Sequence, residues 1–291
     1  MPTGTLANHL AIRALANGKT RVIVQSESHI YNDSGDCVQT LSNLNLIPLA
    51  SNKATFTLQE VEEVMTKTAG GRVSTPVGVI SIESPVRRKA GEMFDYDEMK
   101  RISNFARKKN IGLHLDGARL FLAPAYTGIA PSEYAALFDT VYVSLWKYFN
   151  AASGAILAGP KSVIENMFHT RRMFGGGLPA AWPYAAVAMN YLDGFVERFK
   201  VAVKVSEDLI EKLKAHPSFR IERTPAGTNV FQLRVQAGDA EAYWKNLESK
   251  GVLVSPPAKG SNVFVLHVNE SLNRVSASEL AGRFIQSLPG K

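Results

Sequence analysis

The sequence predicts an α/β protein with a mostly parallel sheet, followed by a small C-terminal α+β domain. Between residues 22 and 158, short β-rich runs alternate with amphipathic helices, which is typical of β-α-β units. The run from Val77 to Ile82 is apolar on both faces, as buried parallel strands are. After about residue 180 a long helical stretch leads into a strand–helix–strand–helix pattern. We therefore predict a large domain over residues 1–195 and a small one over residues 196–291.

The first elements are predicted in order from their local patterns. A turn at residues 2–5 leads into a helix from Leu6 to Leu15. Thr57 and Glu60 form a capping-box pattern before a helix from Leu58 to Thr68. Pro48 marks its strand as an edge candidate, because proline has no backbone N–H to donate to a neighbouring strand. The remaining predicted elements of this part are strands at 22–24, 46–49, 77–82, 112–115, 140–144 and 154–158, and a charged helix at 95–109.

The C-terminal part is predicted from a change of pattern. Residues 180–215 contain few helix breakers and predict one long helix. Beyond it, apolar alternation predicts strands at 229–235 and 263–268. Helices are predicted at 239–250 and 276–288, so the small domain is α+β.

Composition excludes several classes of protein. The chain has 291 residues, of which 45% are hydrophobic, and no apolar run reaches the ~18 residues of a membrane span. No signal peptide is evident at the start, and the single Cys37 excludes an internal disulfide and argues against a cysteine-based metal site. We expect a cytoplasmic protein with no metal and no membrane partner. The net charge of +7 comes from short basic clusters without a long basic arm, so we expect anionic small ligands rather than nucleic acid.

Two strand ends carry the strongest chemical signal. Asp116 ends one predicted strand, and Lys147 follows the end of another. In open parallel sheets, ligands bind outside the carboxyl ends of the strands, so these two side chains converge on one ligand. Pyridoxal 5′-phosphate (PLP) needs such a pair, because its aldehyde forms a Schiff base with a lysine and its pyridine nitrogen stays protonated beside a carboxylate.

Other residues extend this candidate site. Gly4 and Thr5 precede a helix and offer backbone N–H groups to a phosphate. The Ser144 hydroxyl could add a donor, and His29 could stack on the ring. Each residue also has an ordinary interpretation: a surface lysine, a helix-capping aspartate, a turn glycine, a core histidine or a salt-bridging Arg119. The prediction depends on their joint order along the chain.

Four segments together resemble the threonine aldolase / aromatic amino acid β-eliminating lyase family. The segment from Leu113 to Leu120, LHLDGARL, resembles the threonine aldolase signature. The segment PTGTLAN at 2–8 resembles the phosphate loop of the family, SLWK at 144–147 its lysine motif, and RRMFGGG at 171–177 its R-x-x-x-G-G-G segment. The match runs in the family's order from Pro2 onward.

This resemblance implies fold type I of PLP enzymes, with a seven-stranded mixed sheet in the large domain and a homodimer or homotetramer. It implies that Lys147 carries PLP, that Asp116 pairs with the pyridine nitrogen and that Arg119 bonds the phenolic oxygen. Gly4, Thr5 and Ser144 would hold phosphate, and His29 would stack on the ring and serve as the base.

The chain departs from the family near the substrate. Family members usually carry several dozen residues ahead of the phosphate loop, so we expect this chain to be N-terminally truncated. Val86 stands where the family often has a histidine, no arginine occurs between Asn262 and His267, and Tyr148-Phe149-Asn150 replaces a glycine-rich stretch. The expected activity is cleavage of a β-hydroxy amino acid to glycine and an aldehyde. The alternatives are PLP-dependent β-elimination or transamination, or a truncated, non-catalytic PLP-binding protein.

Overall fold

A computed structural model describes residues 1–236 and 238–289. The chain forms two compact units, Met1–Asp193 and Gly194–Lys291. Each unit has its own sheet. Within the described part of the chain, no helix has the length and apolar character needed to cross a membrane.

The first unit is built on a six-stranded sheet in the order β2-β1-β3-β4-β5-β6. Every neighbouring pair is parallel except β5 and β6. β2 lies at the edge, as Pro48 predicted, and β3 is buried along its whole length. The strands are β1 (Arg21–Gln25), β2 (Asn45–Leu49), β3 (Val77–Glu83), β4 (Gly112–Asp116), β5 (Thr140–Ser144) and β6 (Ala155–Ala158).

The prediction of seven strands in this sheet is wrong for the described residues, which form six. The place next to β6 is occupied by Met1 and Pro2. The Ala155 N–H donates to the Met1 carbonyl over 2.9 Å, and the Gly154 N–H donates to the Pro2 carbonyl over 3.2 Å. The chain then enters the first helix, whose N-cap is Thr3.

Helices cover the sheet. The predicted capping box holds, since Thr57 Oγ1 accepts from the Glu60 N–H and the Glu60 carboxylate accepts from the Thr57 N–H. The helices are α1 (Gly4–Leu15), α2 (His29–Asn32), α3 (Cys37–Ser42), α4 (Leu58–Ala69), α5 (Tyr96–Lys108), α6 (Pro124–Thr127), α7 (Pro131–Ala135), α8 (Lys161–Ile164), α9 (Met167–Met173) and α10 (Trp182–Leu192).

Two apolar clusters hold the first unit together, one on each side of the strands. One contains Ile80, Ile82 and Leu115 with side chains of α4 and α5. The other contains Ile12 of α1 with Val22 and Val79. Burying a single large aliphatic side chain stabilises by roughly 1.5–3 kcal/mol, so these clusters fix the strand ends in register.

The second unit has a three-stranded antiparallel sheet in the order β7-β8-β9. Its first strand was not predicted, because its burial pattern has a single buried residue and its sequence, FRIER, is mostly polar. The strands are β7 (Phe219–Arg223), β8 (Val230–Val235) and β9 (Val263–His267), and the helices are α11 (Phe195–Lys214), α12 (Ala240–Ser249) and α13 (Ala277–Gln286).

The prediction of one long helix over residues 180–215 is also wrong. The chain forms two helices, because α10 ends at Leu192 and α11 begins at Phe195. Gly194 between them has a φ of 68°, a left-handed conformation that a right-handed helix cannot contain.

Candidate functional site

Four parallel strands of the first unit end in polar residues. These residues lie along one edge of the sheet, the edge formed by the carboxyl ends of the strands. β1 ends at Gln25, β3 at Glu83, β4 at Asp116 and β5 at Ser144. Glu83 and Asp116 are register partners on neighbouring strands. The parallel topology therefore brings together residues that lie far apart in the sequence, at the edge where such sheets bind ligands.

Asp116 is buried, with 4% of its surface exposed. Its Oδ2 accepts from Asn8 Nδ2 of α1 over 2.5 Å, and its Oδ1 accepts from the Ala118 N–H over 3.0 Å. Both donors are neutral, so they stabilise the carboxylate without cancelling its charge. The carboxylate can still attract a cation from the ligand side.

A chain of buried polar groups supports Asp116 from behind. Asn8 Oδ1 lies 2.9 Å from His114 Nε2, and His114 Nδ1 lies 2.9 Å from Thr140 Oγ1. Because the Asn8 amide nitrogen donates to Asp116, its oxygen accepts from Nε2–H, and Nδ1 accepts from the threonine hydroxyl. Burial lowers the pKa of His114 to about 4, so the imidazole is neutral and this tautomer is fixed.

Asn8 and His114 were quoted in the sequence motifs but given no role. The available signal was a polar residue on the buried face of a helix and another inside an apolar strand. Buried polar groups of this kind are nearly always paired with one another. The pairing itself depends on the packing of α1 across β4, which spacing along the chain does not reveal.

Lys147 lies in a turn three residues beyond β5 and is partly buried. The pKa of its ammonium is lowered to about 8, chiefly by burial and next by the positive charge of Arg119, while Asp116 and Glu83 act in the opposite direction. Its Nζ lies 5.7 Å from the centroid of the Trp146 ring. An ordinary solvated surface lysine would not be placed in this way, so that interpretation does not describe Lys147.

His29 begins α2 and follows the end of β1. Its ring Nδ1 is buried and has no hydrogen-bond partner within the described residues. Burial lowers the pKa of the imidazole; the charge of Asp116 raises it and that of Lys147 lowers it. His29 and Lys147 therefore lie close enough to each other and to Asp116 for their charges to interact, as expected for groups that face one ligand.

Glu83 is a further buried carboxylate at this edge, with 3% of its surface exposed. Its Oε2 accepts from the His29 N–H over 2.6 Å and its Oε1 from the Arg87 N–H over 2.8 Å. Its pKa is raised to about 7, chiefly by burial and next by the nearby charge of Asp116. The sequence offered one signal for it, an acidic residue at the carboxyl end of an otherwise apolar strand.

The start of α1 faces the same region. Thr3 caps the helix by accepting from the Leu6 N–H over 3.2 Å, so the predicted turn is a helix N-terminus. The N–H groups of Gly4 and Thr5 lie in the first turn, where a helix supplies no acceptor of its own. Gly4 packs directly on the phenol of Tyr142, and a Cβ there would collide with the tyrosine ring.

Ser144 and Tyr142 alternate along β5 and are both buried. The two hydroxyls are neighbours, and burial raises the pKa of the Tyr142 phenol, which stays neutral. The predicted phosphate residues Gly4 and Ser144 are therefore joined by Tyr142, a residue that the sequence interpretation missed.

The glycine-rich segment packs on α1 through Phe174 and Gly176. The Gly176 N–H donates to the Arg171 carbonyl over 2.8 Å, and a Cβ at Gly176 would collide with Leu6. Phe174 contacts His9 edge-on, with ring centroids 5.0 Å apart. The segment therefore fixes the position of the helix whose N-terminus faces the site.

Aromatic residues adjoin the lysine turn. Tyr148 and Phe149 pack edge-to-face with ring centroids 4.6 Å apart, and Phe121 packs against Phe149 at 5.1 Å. Trp146 is 54% exposed. These apolar surroundings explain why burial is the main cause of the lowered pKa of Lys147.

Comparison with known proteins shows which family the chain resembles. Residues 1–236 match the family model described as beta-eliminating lyase. A low-specificity L-threonine aldolase of Candida albicans is 28% identical over 238 residues, 81% of this chain and 62% of that protein. The alanine racemase TOXG of Cochliobolus carbonum is 29% identical over 253 residues, 86% of this chain and 62% of that protein.

Among solved structures, a protein of Exiguobacterium sp. 255-15, described as an aromatic amino acid beta-eliminating lyase/threonine aldolase, superposes with a TM-score of 0.81 at 23% identity. The alignment covers 99% of this chain and 82% of that one. This likeness shows the fold, which is fold type I of PLP enzymes. The chain spans about 62% of the length of the first two relatives. Because the family model covers most of its residues, the chain belongs to the beta-eliminating lyase family.

Proposed function

We propose that this chain is a PLP-dependent carbon–carbon lyase that cleaves a threonine-like β-hydroxy amino acid to glycine and an aldehyde. The observation that carries the proposal is the convergence of Lys147, Asp116 and His29 on one edge of the sheet, each within reach of another's charge. The similarity to low-specificity L-threonine aldolases supports the choice of reaction.

The residues present fit PLP, the cofactor that the family implies. The buried His29 Nδ1 has no partner within the described residues, which is rare for a buried polar atom and suits a site that a ligand completes. Lys147 would hold the aldehyde carbon, Gly4, Thr5 and Ser144 the phosphate, and Arg119 the phenolic oxygen. When bound, PLP supplies an electron-accepting ring that stabilises the charge left at Cα when the Cα–Cβ bond breaks.

The protein's own groups would prepare that step. Asp116, held by Asn8 and by the Ala118 N–H, presents a carboxylate that favours a protonated pyridine nitrogen. Lys147, with a pKa of about 8, supplies an appreciable fraction of neutral amine near neutral pH. His29 is neutral there because burial lowers its pKa, so it can accept the proton of the substrate β-hydroxyl.

A racemase is the second candidate, because the alanine racemase TOXG is as similar to this chain as the aldolases are. The same lysine and carboxylate would serve, but the bond broken at Cα would be to hydrogen. Product analysis separates the reactions: a lyase gives glycine and an aldehyde, a racemase the opposite enantiomer, and a β-eliminating enzyme a keto acid and ammonia. A protein that binds PLP and yields none of these products would be non-catalytic.

The central experiment is an absorbance spectrum of the purified chain with PLP. Wild type is expected to show a visible band of lysine-bound cofactor, and Lys147→Ala is expected to lose it. Lys161→Ala, a change at an exposed lysine on α8, is the matched control and should keep the band. An unchanged band in Lys147→Ala would show that another lysine binds PLP.

We also propose a homodimer or homotetramer that acts on a free amino acid in the cytoplasm. The oligomer is supported by the family resemblance, and the location by the composition of the chain, with its single cysteine. Analytical ultracentrifugation at micromolar concentration tests the oligomer, for which a monomer at all concentrations is the contrary result.

A further inference from the structure

Glu83 joins two loops that lie beyond different strands. One carboxylate oxygen accepts from the N–H of His29, the first residue of α2, which follows β1. The other accepts from the Arg87 N–H, after β3. The Arg87 side chain in turn pairs with Asp33 of the loop after α2, with nitrogen and oxygen 2.5 Å apart. Glu83 is thus the buried link between the segment that carries His29 and the segment that carries Arg87.

The backbone of Glu83 is itself fixed by Gln25. The Gln25 Oε1 accepts from the Glu83 N–H over 2.8 Å, and Gln25 Nε2 donates to the Glu83 carbonyl over 2.8 Å. On the other side, the Ser84 N–H donates to the Asp116 carbonyl over 3.1 Å. These bonds fix the position of the Glu83 carboxylate relative to Asp116. The two N–H groups that bind the carboxylate are therefore fixed relative to Asp116 as well.

Both oxygens of Glu83 are occupied by N–H donors, so Glu83 is poorly placed to take a proton from a substrate. Keeping a carboxylate at this buried place is unfavourable: burial and Asp116 raise its pKa more than Arg119 and the two N–H bonds lower it, and the net value is about 7. Glutamine has nearly the same shape and lacks this penalty, but it has a single acceptor oxygen. Two acceptors are needed here, because two N–H groups must be held.

We infer that Glu83 is a positioning residue that fixes the main chain at His29, and with it the imidazole, relative to Asp116. It acts through His29 and the Arg87 loop and does not itself contact the ligand. This inference goes beyond the proposed function, and it rests on that function only where PLP is used as a probe.

The first test is amide hydrogen exchange in the chain without cofactor. Glu83→Gln should speed exchange of the His29 or Arg87 N–H roughly tenfold or more. One of the two charge-assisted bonds is lost, because the glutamine NH2 group would face a backbone N–H and both are donors. Glu83→Asp keeps the charge but is one methylene shorter, so it cannot reach both groups and should have the same effect. If Glu83→Gln fails to fold, Glu83→Asp carries the comparison.

A matched control is available in Glu98 of α5. It is equally buried, its side chain accepts from the Leu58 N–H, and it lies outside the site. Glu98→Gln should leave exchange at His29 and Arg87 unchanged. Wild-type exchange at both amides in Glu83→Asp would overturn the inference, because charge rather than reach would then be the function of Glu83.

The second test uses PLP itself. The apparent dissociation constant for PLP should rise roughly tenfold in Glu83→Gln, because His29 is no longer fixed, and should not change in Glu98→Gln. Equal affinities in wild type and Glu83→Gln would contradict the positioning role. If wild type binds no PLP, the proposed function fails, while the exchange experiment still decides the role of Glu83.

Discussion

At the scale of single residues, the two buried carboxylates of the site, Asp116 and Glu83, differ in the hydrogen-bond donors that they accept from. Asp116 receives one side-chain amide and one backbone N–H and keeps its outer face for a ligand. Glu83 receives two backbone N–H groups, one on each oxygen. Both are acidic residues at the ends of neighbouring parallel strands. Their different partners therefore give one an electrostatic role toward the ligand and the other a structural one.

Replacement of Asn8 tests the support of Asp116. In Asn8→Ala, Asp116 loses its side-chain donor and His114 loses its acceptor, so both buried groups are left incompletely paired. We expect the affinity for PLP to fall roughly tenfold, since a bond to a charged group is lost. A titration followed by absorbance measures it, with Gln59→Ala on the exposed face of α4 as control. Unchanged affinity would mean that Asp116 needs no support from α1.

The lowered pKa of Lys147 predicts a pH dependence. The neutral amine is the nucleophile, so the rate at which the chain captures PLP should rise with pH and level off above about 8. A lysine with its ordinary value of 10.5 would still gain reactivity well above pH 9. Stopped-flow absorbance over this range measures the midpoint. A rate that keeps rising to pH 10 would show that Lys147 is solvated.

At the scale of elements, the N-terminus of α1 is built against β5 through a single glycine. Gly4→Ala would force the new methyl group into the phenol of Tyr142, so either the helix or the tyrosine must move. We expect a roughly tenfold or larger loss of PLP affinity and partial recovery in the double variant with Tyr142→Val, because the two sites are in contact. Additive effects of the two substitutions would show that the collision is not the cause.

Two glycines of the second unit predict opposite effects on stability. Gly282 lies inside α13 with open space around it, so Gly282→Ala should stabilise by roughly 0.5–1 kcal/mol. Gly194 has a φ of 68°, so Gly194→Ala should destabilise by roughly 1–2 kcal/mol. Urea unfolding curves measure both changes. A shift of the same sign in both variants would contradict this account of the break between α10 and α11.

The sequence predicted the parallel strands well, because each is a short apolar run, and β1, β3, β4 and β5 also end in a polar residue, such as Asp116. The capping box at Thr57 was also predictable from local pattern. The break at Gly194 was not, since an isolated glycine within a helical pattern is often tolerated. Asn8, Glu83 and Tyr142 could not be given roles, because their partners lie on elements that are distant in sequence and meet only through packing.

At the scale of the whole molecule, the order and direction of the strands in the first unit determine where the site lies. Residues from Gly4 to Lys147 reach one edge because β1, β3, β4 and β5 run parallel and end there. The antiparallel β6 begins at this edge, where Ala155 is the register partner of Ser144, and Met1 and Pro2 pair with the residues at its start. The site therefore depends on the folding of the entire first unit, and its buried titratable groups tie stability to pH.

Acid should destabilise the chain through its buried histidines. His9 and His114 each have a pKa lowered to about 4 from 6.5, so they bind fewer protons folded than unfolded, and stability is lost as the pH falls from 6.5 toward 4. Glu83 has a pKa raised to about 7 from 4.5, so its contribution is present at low pH and is lost as the pH rises toward 7. The two effects oppose each other between pH 5 and 6.5. Glu83→Gln removes the opposing one, so its unfolding midpoint in urea should fall more steeply from pH 7 to pH 5 than that of wild type. Equal slopes in wild type and Glu83→Gln would show that Glu83 does not change its protonation in this range. His9→Gln removes one of the two histidines, so it should make the dependence of the unfolding midpoint on pH shallower than in wild type.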